Sequence, residues 1–274
     1  MKQAKYEPYS LLMSVYEKES PQNLKISVES IFAQTVLPND FVLVIDGPVG
    51  GELEKEINFL KEKYSLNCVA LSENVGLGKA LNFGLKECKC NLVARMDSDD
   101  ISKPDRMEKQ LALLKMSGAD IVSSAVSEFE NDPENIISRR LVPKTHEEIM
   151  RFVRKRTPFN HPAVVYKKSL VLDAGGYMDY EFFEDYELFA RLLKGGAKGA
   201  NCEESLVLMR TGQGLYLRRG GLRYAKCLIR FYKRMRSLSL CLFKETLTVE
   251  MPRIIVALLP SKIRKFVYQK FLRG

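Results

Sequence analysis

The stretch L-V-A-R-M-D-S-D-D, residues 92–100, runs from an apolar, strand-like segment straight into three carboxylates. Burying even one unpaired carboxylate costs several kcal/mol, so the position of this patch in the fold decides how it is read. On its N-terminal side, a helical pattern over 76–88 follows the apolar run Cys68 to Leu71, which follows a helical pattern over 52–64. Further out lie the run Phe41 to Ile45, a helix begun at Ser20-Pro21, and the run Tyr9 to Tyr16. Proline just after serine suits a helix start. This alternation predicts an α/β fold, a mostly parallel central sheet flanked by helices. In such sheets the ligand crevice lies outside the carboxyl ends of the strands. Three of those ends are chemically distinctive: Ser14-Val15-Tyr16-Glu17, Asp46-Gly47-Pro48, and Asp97-Ser98-Asp99-Asp100.

Beyond the acidic patch, Pro104 to Met116 reads as a helix with Met107, Leu111 and Leu114 on one side and Gly118 ending it. Strand-like Ala119 to Phe129 follows, then shorter pieces: Ile136 to Val142, a helix near Glu147 to Arg154, strand-like Ala163 to Tyr166, a helix from Glu184 to Lys194, and Leu206 to Met209. We expect residues 1–210 to form the catalytic unit, with 1–117 binding a nucleotide-type ligand and 118–210 forming an acceptor side packed on it.

Carboxylates crowded at a strand end repel one another, and a divalent cation removes the repulsion. Oxygen-only ligation suits Mn²⁺ or Mg²⁺. If the chain is extended at the strand end, Asp97 and Asp99 point differently, so that one can ligate a metal while the other orients a neighbouring hydroxyl. The plain alternative is an Asp-rich loop, with Asp100 capping a turn and Asp105 in the first turn of the next helix. G-L-G-K-A-L at 76–81 is a weak dinucleotide fingerprint, because Leu81 stands where the third glycine belongs.

The ordered set M-S-V-Y (13–16), S-V-E-S-I-F-A-Q-T (27–35), V-I-D-G (44–47), N-V-G-L-G-K-A-L-N-F-G (74–84), M-D-S-D-D-I-S-K-P-D-R (96–106) and F-E-D-Y-E-L (183–188) resembles glycosyltransferase family 2. The resemblance covers roughly residues 9–210. It implies the A-type glycosyltransferase fold, a UDP-sugar or related nucleotide-sugar donor, a metal held through D-x-D, and inversion at the anomeric carbon. Carried over, it puts Tyr16 and Glu17 or Glu19 near the nucleoside, Asp46 on the base, Asp97 at the ribose, Asp99 on the metal and Lys79 near the nucleotide. Ile45 stands where the family usually has an additional Asp. The match also selects Asp185 as the general base, with Glu184 beside it. Acids at a helix start have an ordinary use in capping as well. His161 and Phe183 are acceptor-side candidates, while Arg218 and Arg219 could bind the donor diphosphate, a lipid diphosphate or the membrane.

The net charge of +9 hides an asymmetry, since residues 211–274 hold 15 Lys and Arg against 2 acids. The rest of the chain is net acidic. On a helical projection of 222–235, Ala225, Leu228, Ile229, Tyr232 and Met235 share one side, with Arg223, Lys226, Arg230, Lys233 and Arg234 opposite. Ile263, Phe266, Val267 and Phe271 repeat the theme against Lys262 and Lys265. We therefore expect 211–274 to be a basic amphipathic helical tail on an anionic membrane surface, with no nucleic-acid partner, because no nucleic-acid module accompanies it. A helix packed on the catalytic unit with a solvated basic face is the other reading. The chain start has no apolar run suited to a signal peptide, and six cysteines without paired C-x-x-C spacing read as reduced thiols. These features suggest a cytoplasmic protein, peripheral on the inner face of a bacterial membrane.

The whole pattern is similar to bacterial enzymes that extend undecaprenyl-diphosphate-linked N-acetylglucosamine in O-antigen or exopolysaccharide assembly, some adding galactose or glucose. A non-catalytic nucleotide-sugar-binding or scaffold protein is the alternative from another class. It would bind nucleotide without forming product.

Overall fold

A computed structural model describes residues 6–212, 220–260 and 263–264. Strands β1 (Tyr9–Val15), β2 (Asp40–Ile45), β3 (Asn67–Ala70) and β4 (Leu92–Arg95) pair in parallel. β8 (Val165–Lys167) lies antiparallel between β4 and β6 (Ile121–Phe129). β9 (Gly199–Arg210) runs parallel to β6 and carries β5 (Ile101–Ser102) on its outer edge, while β7 (Ser138–Arg140) pairs with β6. The result is one continuous sheet in the order β3-β2-β1-β4-β8-β6-β9-β5. The two halves expected from sequence therefore share a sheet.

Successive strand residues face opposite sides, and here both sides are covered. Leu12, Val42, Val44 and Val93 join one core with Ala80, Leu81 and Leu85 of α3 (Leu77–Glu87). Leu11, Met13, Leu43 and Ala94 join the other, with α1 (Pro21–Phe32), α2 (Gly51–Tyr64) and α4 (Arg106–Ser117). Helix α3 lies so close to the sheet that a Cβ at Gly84 would collide with Leu12 and Val44.

Two strand expectations shift. The segment His161–Ala163 is a 3₁₀ turn, so β8 starts at Val165. β9 is twelve residues long, extending well N-terminal of Leu206. Its first half escapes a hydrophobic pattern because Glu203 and Glu204 are exposed and the pairing with β6 shifts register near Ser124 and Ala125.

Among the later elements are α5 (His146–Phe152), α6 (Lys168–Asp173), α7 (Glu184–Lys194) and α8 (Gly221–Ser237). The buried face of α8 is Tyr224, Ala225, Leu228, Phe231, Tyr232 and Met235, in the same core as Phe183, Tyr186 and Phe189. Phe231 stacks on Phe183 with ring centroids 4.7 Å apart and lies at 4.7 Å from Tyr186. Ile229, placed by projection on the apolar side, is 49 % exposed. Part of the expected basic face is also engaged internally, since Arg234 pairs with buried Glu187 at 3.0 Å. Phe231→Ala is expected to lower stability by about 3–5 kcal/mol, measured as a fall in thermal midpoint. An unchanged midpoint would mean that α8 contributes nothing to the core. The chain continues through α9 (Phe243–Glu245), a π-helical turn (Thr246–Glu250) and α10 (Met251–Leu258), which packs on α8.

Candidate active site

After Arg95 the chain turns sharply, with the Asp100 N–H donating to the Asp97 carbonyl at 3.4 Å. An extended chain would separate Asp97 from Asp99. The turn instead brings carboxylate oxygens of Asp97, Asp99 and Asp100 within 4.8 Å of one another. Flanking elements hold it: Ser27 of α1 donates to the Asp97 carbonyl at 3.0 Å. At the end of β9, the Arg210 N–H donates to Asp100 Oδ1 at 2.8 Å and its Nε to the Asp99 carbonyl at 3.1 Å. Asp100 is thus more than a turn residue, whereas Asp105 sits apart, paired with Lys109 at 2.8 Å.

Burial, reinforced by the charges of Asp97 and Glu19, pushes the Asp99 carboxyl up to about 7. Burial and the charges of Asp97 and Asp99 raise Asp100 well above the usual carboxylate range. Asp100 Oδ2 is buried with no hydrogen-bond partner. An orphaned oxygen beside two more carboxylates is a donor set that fits a hard divalent cation.

Among the residues expected to bind the donor, Glu19 accepts from the Ser98 hydroxyl at 2.5 Å, which ties the β1–α1 loop to the acidic turn. Tyr16 and Glu17 are exposed. Both Asp46 oxygens are engaged by the loop before α3, from the Val75 N–H at 2.8 Å and the Gly76 N–H at 3.1 Å. Asp46 therefore shapes the glycine turn at the start of α3. Next to it, Gly47 has φ +87°, and a Cβ there would stand 2.6 Å from the Asn74 nitrogen. Lys79 is exposed in the first turn of α3, while Arg218 and Arg219 lie outside the described residues.

Glu184 and Asp185 open α7. Glu184 packs against α3, where a Cβ on Gly78 would meet its own Cβ at 3.4 Å. Glu184 Oε2 is buried without a partner, and burial, then the Asp185 charge, pushes the carboxyl up to about 7. Asp185 accepts from the Tyr186 N–H at 2.7 Å; burial raises its carboxyl despite that bond and the Arg95 charge. Phe183 is buried against Phe231 and does not stand open to an acceptor, whereas Phe182, at φ +70°, is 38 % exposed. His161 is buried, bonded through Nε2 to the Tyr177 hydroxyl at 2.9 Å, and kept neutral because burial and the Arg95 charge lower its pKa. Asn82 of α3 grips the Tyr177 backbone at both ends, at 2.7 and 2.8 Å.

Arg95 connects the two acidic groups. Only 1 % exposed, it pairs with Asp97 and opposes the raised pKa values of Asp99, Asp100, Glu184 and Asp185. Its Nε and Nη1 have no hydrogen-bond partner.

The motif order in the sequence pointed to one family, and the family model described as glycosyl transferase family 2 matches residues 10–171. The chain belongs to glycosyltransferase family 2. A UDP-Gal:alpha-D-GlcNAc-diphosphoundecaprenol beta-1,3-galactosyltransferase of Escherichia coli is 36 % identical over 97 % of this chain and 96 % of its own length. An amylovoran biosynthesis glycosyltransferase of Erwinia amylovora is also 36 % identical, over 97 % of this chain and all of its own. The mannosyltransferase of Pyrobaculum calidifontis, solved in complex with GDP-Man and Mn²⁺, superposes with a TM-score of 0.65 at 14 % identity, covering 96 % of this chain and 80 % of its own. That likeness identifies the A-type glycosyltransferase fold.

Two residues of the candidate site in this family 2 glycosyltransferase are not among those singled out from its sequence. Asp100 looked like turn chemistry, and Arg95 passed as part of an apolar run. The available signal was the charge itself: an arginine inside L-V-A-R-M has to find an acid, and Asp97 stands two positions away.

Proposed function

We propose that this glycosyltransferase moves a hexose, galactose or glucose, from a UDP-sugar to a lipid-linked sugar such as N-acetylglucosaminyl-diphospho-undecaprenol, with inversion. It would serve O-antigen or exopolysaccharide biosynthesis as a cytoplasmic protein, peripheral on the inner membrane face. The strongest support is the 36 % identity to the Escherichia coli galactosyltransferase over nearly the full length of both chains.

Asp97, Asp99 and Asp100 would hold Mn²⁺ or Mg²⁺, which supplies charge neutralisation for a departing nucleoside diphosphate. The remaining work falls to the chain itself. Asp46 fixes the Gly76 turn beside the donor crevice, and Glu19 and Ser98 join the loops on its other side. Asp185 accepts the acceptor hydroxyl proton as that oxygen attacks the anomeric carbon, and its raised pKa brings the base closer to the operating pH. Glu184, up to about 7, is a carboxyl poised to hold or share that proton.

Purified protein with Mn²⁺, a panel of labelled nucleotide sugars and a synthetic N-acetylglucosaminyl-diphosphate lipid tests the proposal. The expected product carries galactose or glucose, released by a β-specific glycosidase. Transfer only from a non-uridine donor, or a product resistant to β-glycosidases and cut by α-specific ones, would refute it.

A further inference from the structure

The apolar face of α8 is covered by the protein's own core, so it is not free to enter a bilayer. The next helical run is different. Phe243, Leu247, Met251, Ile255 and Leu258 recur every three or four residues through α9, the π-helical turn and α10, and they are 79, 54, 46, 56 and 52 % exposed. Leu242 is exposed beside them at 53 %. The opposite side of the run, with Glu245, Glu250 and Ala257, is buried. An apolar stripe of this length facing outward marks an interaction surface.

The charges of the same region, residues 220–264, point to the partner. The two acids of this region, Glu245 and Glu250, are both buried and paired, with Arg154 at 3.4 Å and with Arg236. Across the described residues 220–264, the exposed charged side chains are Arg223, Lys226, Arg230, Lys233, Arg236 and Lys244, all basic. Lys226, Lys233 and Lys244 have no acidic partner among the described residues. Glu181 offsets Arg223 at 2.8 Å and Glu250 offsets Arg236, which leaves Lys226, Arg230, Lys233 and Lys244 as a net positive set; an apolar stripe with such a set in the same region fits an anionic lipid surface. No helix of the described residues is long and apolar enough to cross a membrane, so the run would lie in the interface plane.

We infer that the outward stripe Phe243, Leu247, Met251, Ile255 and Leu258, with the lysines of α8 and Lys244, is the surface that docks this enzyme on an anionic bilayer. Helix α8 contacts α10 on one side and α7, which begins with Glu184 and Asp185, on another. Docking through α10 thus leaves one helix between the bilayer-facing run and the helix that carries the base. This inference deepens the proposed function and rests on its lipid-linked acceptor.

The test uses the full chain with Leu247→Ser, Met251→Ser and Ile255→Ser combined, in sedimentation with vesicles of phosphatidylglycerol and phosphatidylethanolamine. Vesicle partitioning is expected to fall at least ~10-fold, with the thermal midpoint unchanged and undiminished transfer to a water-soluble short-chain acceptor. A second variant, Lys226→Gln with Lys233→Gln and Lys244→Gln, is expected to lose the preference for anionic over phosphatidylcholine vesicles, at about 5-fold per lysine. Wild-type partitioning in the serine variant would overturn the inference. A change of oligomeric state in ultracentrifugation with vesicle binding intact would also overturn it, assigning the stripe to a second copy of the chain. Vesicle binding by wild-type protein that transfers no sugar to the soluble acceptor would sink the proposed function while supporting the docking surface.

Discussion

Asp185→Asn is expected to lower the turnover of sugar transfer by about 10²–10⁴-fold, the range associated with losing a positioned general base. The substitution is close to isosteric. An asparagine oxygen can still accept the Tyr186 N–H bond that holds Asp185 at the start of α7, so the helix should form as before. What disappears is the ability to take a proton. Donor affinity, measured separately by nucleotide titration, is expected to stay nearly constant, because the donor-side loops are organised by Asp46 and Glu19. Near-normal turnover would remove Asp185 from the role and leave Glu184 beside it as the carboxylate to test.

Asp99→Ala is expected to reduce transfer by about 10³-fold or more, as loss of one of the three carboxylates proposed to hold the metal removes several kcal/mol of charge stabilisation. A stability measurement separates this metal role from a purely structural one. In the folded, metal-free chain Asp99 is raised from 3.8 to about 7 and Glu184 from 4.5 to about 7. A carboxyl with a raised folded-state pKa favours the folded state below its unfolded value, and that contribution is lost as pH climbs through about 7. Through these two groups the metal-free thermal midpoint should therefore fall between pH 5 and pH 8. Because a cation competes with the proton at Asp99, Mn²⁺ should raise the midpoint more at pH 8 than at pH 5. In Asp99→Ala the Mn²⁺ increment should be largely lost at both. A wild-type chain whose midpoint ignores Mn²⁺ at pH 8 would contradict the metal assignment.

Strands β1 and β2 were legible in the sequence because they are covered on both faces. Leu11 to Met13 and Phe41 to Val44 had to be apolar without interruption, and the acids could only begin where the sheet ends. β9 was legible only in its second half. Glu203 and Glu204 lie on an exposed, irregular stretch where neither alternation nor continuous apolarity is required. The acidic turn was visible as composition, but its convergence was not, since three carboxylates become neighbours through a turn that bonds from Asp100 back to Asp97. The helix Gly221–Ser237 shows a similar limit. Its period was readable, yet a projection could not tell that Tyr224 and Phe231 would be covered while Ile229 would not, because that depends on where Phe183 and Tyr186 stand. Phe183, two positions before the proposed base Asp185, is part of that packing for the same reason.

Arg95 has a consequence for timing. A buried guanidinium with two donor nitrogens left unbonded draws on stability, at about 1–3 kcal/mol for an unsatisfied buried group. In return the fold carries a fixed countercharge that reaches Asp97, Asp99, Asp100, Glu184 and Asp185 before any ligand arrives. If these carboxylates act as proposed, their countercharge is in place before the donor binds. Arg95→Met would then yield a site that must be assembled anew by each donor it meets, slow to form and intolerant of dilute substrate.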